Sequence, residues 1–176
     1  MQPGRATLEF RPLLLSLISV RTGFAVIGGV AFSLVILSLF LTELLGLSPC
    51  PLCIFQRMLY MLLILPAVVV LIWPRSLYGS GGLALLISLG GLVTAAYQSW
   101  VQAAPTESAA CEYQDPNLLE QFVLWAGEAV PSLFYAWGDC VSTEWAFLGL
   151  SMANWSVVAF LLISILLLAL LRRGVR

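Results

Sequence analysis

The stretch Ser48-Pro49-Cys50-Pro51-Leu52-Cys53-Ile54-Phe55-Gln56-Arg57 pairs two cysteines across a proline and a leucine, with an arginine four residues beyond the second. Cysteines at this spacing close a small disulfide or hold a metal ion. A bridge over two intervening residues restricts the unfolded chain very little, so redox work explains the pair better than stapling does. Pro51 suits the first position of a helix, which makes Cys50 the N-cap and Cys53 the third helical residue. Backbone N–H groups there lack helical partners, and the helix dipole favours a thiolate by about 0.3–1 kcal/mol. Arg57 falls on the same face as Cys53, one turn deeper, where its guanidinium stabilises a thiolate or another anion. The remaining cysteines, Cys111 and Cys140, stand far apart in sequence. A structural zinc site usually uses two short-spaced pairs, and only one is present. A disulfide stapling a loose loop is an ordinary account of Cys111 and Cys140. The chain has no histidine, so the common general base and metal ligand are both missing. Chemistry here rests on cysteine, carboxylate or a bound cofactor.

The elements that must position these residues are apolar. Of the 176 residues 61% are hydrophobic and 10% charged, whereas soluble domains carry about a quarter charged residues. With a mean hydropathy of +1.00, the composition is that of an integral membrane protein. The net charge of −1 offers no basic surface to nucleic acid. Long uncharged runs predict an all-α membrane protein, a four-transmembrane-helix bundle with spans at about 24–45, 54–73, 83–101 and 155–171. Each is long enough to cross roughly 30 Å of hydrocarbon. Residues 1–176 then form a single integral membrane domain, with Gly79–Gly82 as a linker between spans two and three. The arginine-bearing start (Arg5, Arg11, Arg21) reads as an uncleaved signal anchor.

All eight basic residues are arginine, and seven of them flank the side that holds both termini and the Arg75 turn. Only Arg57 lies toward the other side. The bias places the termini in the cytoplasm and loops at about 46–53 and 102–154 outside, where disulfides persist. Both cysteine pairs face outward. The second loop is longer than a connector needs to be. Within it, Ala103 to Ser108 reads as mobile. Leu118, Leu119, Phe122 and Trp125 recur at helical spacing, which fits a short helix lying on the membrane or an amphipathic helix packed on the spans. Trp125, Trp137, Trp145 and Trp155 suit the membrane–water boundary.

A disulfide reduced by one partner must be reoxidised by another. The glycines at 79–82 lack the strand–helix context of a nucleotide site, so an acceptor dissolved in the membrane fits best. A quinone beside the outer end of span two would meet Cys53 as donor and Arg57 as the group polarising a carbonyl oxygen.

With Cys50-Pro51-Leu52-Cys53-x-x-Gln56-Arg57 heading the second of four helices, the chain resembles the disulfide bond formation protein B (DsbB) family of bacterial inner-membrane thiol oxidases. Trp137-Gly138-Asp139-Cys140 and the run Trp145-x-Phe147-Leu148-Gly149-Leu150-x-Met152-x-x-Trp155 carry the same resemblance. It implies that Cys111 and Cys140 form an outer disulfide reduced by a periplasmic DsbA-like dithiol oxidase, which attacks Cys111. Cys140 then attacks Cys50, and Cys53 becomes the thiolate facing a membrane quinone, ubiquinone or menaquinone. Arg57 matches an arginine that assists quinone binding, and no metal is implied. Two departures stand out. Some members carry a histidine near the outer end of span three, where this chain has Gln98 and Trp100. Gln56 stands where some have glutamate. Competing readings are an oxidase for a different dedicated partner, a non-enzymatic membrane scaffold with structural cysteines or zinc, and a small transporter. The last is disfavoured by spans poor in paired polar residues.

Overall fold

In a computed structural model the described residues are 19–103, 118–136, 138, 140 and 145–174. They form helices α1 (Val20–Leu45), α2 (Pro51–Ile72), α3 (Leu77–Ala103), α4 (Leu118–Ala129), α5 (Pro131–Phe134) and α6 (Met152–Gly174). Strands β1 (Ala146–Phe147) and β2 (Leu150–Ser151) precede α6, and a 3-10 turn at Pro74–Ser76 joins α2 to α3. Four helices, α1, α2, α3 and α6, are long and apolar enough to cross a membrane. The protein is a four-helix membrane bundle.

Local signals set the helix ends. The Ser19 hydroxyl accepts the Thr22 N–H at 3.1 Å to open α1. Gly46, at φ 60°, closes it by donating its N–H to Thr42, the left-handed C-cap that glycine adopts at little cost. The α1–α2, α2–α3 and α3–α6 faces pack around Phe24, Ile27, Leu63, Phe160 and Leu167, all buried. Inside this core Ser88 meets Ser164 at 2.8 Å, so the two hydroxyls satisfy each other in an apolar setting.

Gly79–Gly82 is not a linker. The turn is confined to Pro74–Ser76, and the glycines are the first turns of α3. The reason is packing: a Cβ at Gly81 would come within 2.9 Å of Leu171 and 3.3 Å of Phe24. The glycine lets three helices approach closely, as small residues do between membrane helices. Arg21 Nη2 donates to the Leu71 carbonyl at 2.9 Å, so the start of α1 lies beside the end of α2. Arg21, Arg75, Arg172 and Arg173 therefore share one end of the bundle, and the 46–50 loop, α4, α5 and the β1–β2 hairpin share the other.

At that second end α4 packs on α2 through Val123, Ala126 and Gly127, while Leu118, Phe122 and Trp125 are 85%, 50% and 64% exposed. The helix expected around residues 117–125 thus turns Val123, Ala126 and Gly127 toward the protein, with Leu119 packed beside Cys50 and Leu52, while Leu118, Phe122 and Trp125 are turned away. The approach to α6 holds a short hairpin that no alternation in the sequence marks. Ala146 pairs with Ser151 and Phe147 with Leu150, across a Leu148-Gly149 turn with φ of 54° and 77°. Two positive φ values are what a tight two-residue hairpin requires. Residues 104–117, with Cys111, and Trp137 and Asp139 lie outside the described residues, as do residues 1–18 and the mobile piece expected before Ser108.

Candidate functional site

Pro51 occupies the first turn of α2 and Cys50 is its N-cap. The Cys50 sulfur accepts the Cys53 N–H at 3.4 Å, satisfying one of the orphan donors of the helix start. The two sulfurs face each other at 3.1 Å as thiols. Cys140 joins them from the loop. It is buried against Cys50 and Leu52 and hydrogen-bonds the Cys50 thiol. That bond, then the one to Cys53 and then burial, push the Cys50 thiol well above its ordinary pKa.

One backbone contact holds the loop there. Gly138 donates its N–H to the Pro49 carbonyl at 3.2 Å. A Cβ at Gly138 would collide with the Ser48 carbonyl oxygen. Only glycine lets the backbone before Cys140 lie flat on the backbone before Cys50.

Arg57 lies one turn below Cys53, 5% exposed. Its Nε and Nη2 donate to Ser38 Oγ at 3.2 and 2.9 Å, and Nη2 also to Thr42 Oγ1 at 3.2 Å. Nη1 donates to the Leu133 carbonyl at 2.9 Å. The guanidinium ties α1, α2 and α5 together, and its planar fork suits such a junction.

Two amides complete the cluster. Gln98 of α3, 1% exposed, donates Nε2 to Cys53 Sγ at 3.0 Å and to Cys50 Sγ at 3.3 Å. Gln56, 3% exposed, donates Nε2 to Gln98 Oε1 at 2.7 Å. In the sequence both residues stand out only for what they replace. The signal available was a lone amide buried in each apolar run, costly unless paired.

Cys53 and Arg57 line two adjoining cavities. A small one of about 60 Å³ lies toward the loop, bordered by Ser48, Cys50, Gln98 and Trp145. A larger one of about 590 Å³ opens along α1 and α6, with walls such as Val30, Leu37, Trp155 and Leu162. Tyr60, two turns below Cys53, also lines it. Its ring stacks on Phe160 at 4.2 Å. Its hydroxyl is buried with no hydrogen-bond partner among the described residues, Ser156 lying beside it outside bonding geometry. The arrangement is that of a thiol pair with one sulfur turned to a loop cysteine and the other to an apolar cavity with polar groups near its outer end.

Residues 20–170 match the family model described as disulfide bond formation protein DsbB. The chain is 42% identical over 148 residues to "Disulfide bond formation protein B" of Dechloromonas aromatica (strain RCB), covering 84% of this chain and 90% of that protein. It is 39% identical over 160 residues to the protein of the same name from Verminephrobacter eiseniae (strain EF01-2), covering 89% and 88%. For the one from Paracidovorax citrulli (strain AAC00-1) the identity is 37% over 163 residues, with 89% of each chain covered. Matched over most of its length, this multi-pass membrane protein belongs to the DsbB family of oxidoreductases that act in disulfide bond formation.

Proposed function

We propose that the chain reoxidises a DsbA-like dithiol oxidase and passes the electrons to a membrane quinone, ubiquinone or menaquinone. It works as one integral unit in a bacterial inner membrane, termini cytoplasmic and cysteines periplasmic. The gathering of Arg21, Arg75, Arg172 and Arg173 at the end away from the cysteines supports that orientation.

The steps are thiol–disulfide exchanges. A thiolate of the partner attacks Cys111, the Cys111–Cys140 bond breaks, and Cys140 is released. Cys140 attacks Cys50; the Cys140–Cys50 bond forms, the Cys50–Cys53 bond breaks, and Cys53 leaves as a thiolate. The partner's second thiol then frees Cys111, which attacks Cys140 and re-forms the outer disulfide. Two electrons and two protons have moved from the partner to Cys50 and Cys53. A bound quinone supplies a two-electron, two-proton acceptor that restores the Cys50–Cys53 bond. The contact of Cys140 with Cys50 is the observation that carries this order.

The cavity beside Cys53 suits such an acceptor. Its apolar walls suit a ring and an isoprenoid tail, and Arg57 offers a cation near the reacting sulfur. The unpartnered Tyr60 hydroxyl fits a ligand oxygen, since a buried donor without a partner is costly. Replacing Cys53 with Ser should abolish quinol formation coupled to oxidation of a DsbA-like dithiol; normal turnover would contradict the assignment.

A further inference from the structure

We propose that Gln98 is the non-titrating donor that holds the Cys53 thiolate, beside the Cys50 thiol that also faces it, and that Gln56 is a positioning residue that keeps the Gln98 amide turned toward the sulfur. The proposal rests on the redox reading above and adds to it a pair of amides whose donor does not titrate.

A thiolate only accepts hydrogen bonds. An amide has one end that donates and one that accepts, so it helps a thiolate in one orientation and opposes it in the other. Gln98 Oε1 receives the Gln56 Nε2 proton at 2.7 Å, which leaves Gln98 Nε2 for the sulfurs. Gln56 is itself buried, one helical turn from Cys53 on α2. The bond to Cys53 is shorter than that to Cys50, 3.0 against 3.3 Å. Cys50 in turn shares a hydrogen bond with Cys140.

The consequence lies in the exchange step. When Cys140 attacks Cys50, the electron pair of the broken Cys50–Cys53 bond goes to Cys53. A better-stabilised leaving thiolate departs faster. Once Cys140 has attacked Cys50, Gln98 therefore speeds the departure of Cys53 and keeps it charged beside the cavity. The titratable or charged groups around Cys53 are Cys50 at the helix cap, Cys140 from the loop and Arg57 one turn on. Gln98 and Gln56 are neutral at every working pH. The thiols of Cys50, Cys53 and Cys140 titrate as a coupled group, to which the two amides add no titrating step of their own.

The test uses the full chain, reduced, in detergent, with neither partner nor quinone added. Alkylation of Cys53 is followed across a pH series and quantified on its own peptide. Losing a hydrogen bond to a charged group should leave Gln98→Met with about 10- to 100-fold less Cys53 thiolate at a fixed pH below the midpoint. Gln56→Met should give a smaller loss in the same direction. In the Gln98→Met background the Gln56 change should add nothing, because its effect runs through Gln98. Gln98→Glu keeps the side-chain length and serves where the methionine variant fails to fold. Its carboxylate only accepts, so it too should lower the thiolate fraction. An unchanged Cys53 profile in a folded Gln98 variant overturns the proposal, as does a Gln56 effect that persists without Gln98. Neither outcome touches the assignment of Cys53 itself, which stands or falls on the turnover of Cys53→Ser.

Discussion

The Gly138→Ala variant separates the loop-to-helix transfer from everything downstream of it. The added methyl would land on the Ser48 carbonyl oxygen, a backbone atom that has little room to yield. Relief comes from lifting the loop, which breaks the 3.2 Å bond from Gly138 N–H to the Pro49 carbonyl. That bond is worth about 0.5–1.5 kcal/mol, and overpacking adds about 1–3 kcal/mol. The larger effect is kinetic. Cys140 is two residues from the lifted glycine, and a displacement of about 1 Å can cost about 10²-fold in a step that depends on alignment. Reduction of the Cys50–Cys53 disulfide by a reduced DsbA-like partner should slow by about 100-fold. Reduction of the same disulfide by dithiothreitol, followed by quinone consumption, should stay near wild type because it bypasses Cys140. A partner reaction as fast as wild type in a folded Gly138→Ala protein would refute the claim that this backbone contact aligns Cys140 with Cys50. Equal slowing with both reductants would place the damage at α2 instead.

Three further outcomes follow from the site. Arg57→Met removes a buried cation with partners on α1 and α5, and should raise the apparent KM for quinone by about 10- to 100-fold, the value of one charge-assisted hydrogen bond. Tyr60→Phe keeps the stacking on Phe160 but deletes the unpartnered hydroxyl, so it should weaken quinone binding several-fold without unfolding the bundle; an unchanged KM removes Tyr60 from the site. The third concerns pH. The Cys140 hydrogen bond holds the Cys50 thiol above its ordinary pKa, so in reduced protein Cys50 should resist alkylation until pH passes the usual thiol range. Cys140→Ala should move that onset down. By linkage, the contribution of this bond to folding is fully present below the ordinary thiol pKa and fades as pH rises through the raised value.

Much of this was legible in the residues. Pro51 behind Cys50 fixed the helix start, because proline suits the first helical position and a sulfur can take the N-cap role; the structure has that cap. Arg57 at four residues from Cys53 shares its face for the same geometric reason. Uncharged runs of span length marked four helices, since hydrocarbon thickness sets that length. What stayed hidden depends on contacts distant in sequence. The pairing of Gln56 with Gln98 joins residues 42 apart, and neither carries a local pattern. Gly138 looks like any loop breaker until the Ser48 backbone is seen against it. Gly79–Gly82 reads as a flexible connector by composition, yet packing of Gly81 against Leu171 and Phe24 draws it into α3. The hairpin at Leu148-Gly149 is too short to show alternation.

In the proposed relay, electrons cross from the loop to the membrane helix through a bond between Cys140 and Cys50. The most direct measurement is disulfide mapping by mass spectrometry after rapid acid quench of one turnover with a reduced DsbA-like partner. A transient Cys50–Cys140 disulfide should appear, with Cys53 alkylatable in the same molecules. Reduction of Cys50–Cys53 while Cys140 stays bonded to Cys111 at every time point would contradict it.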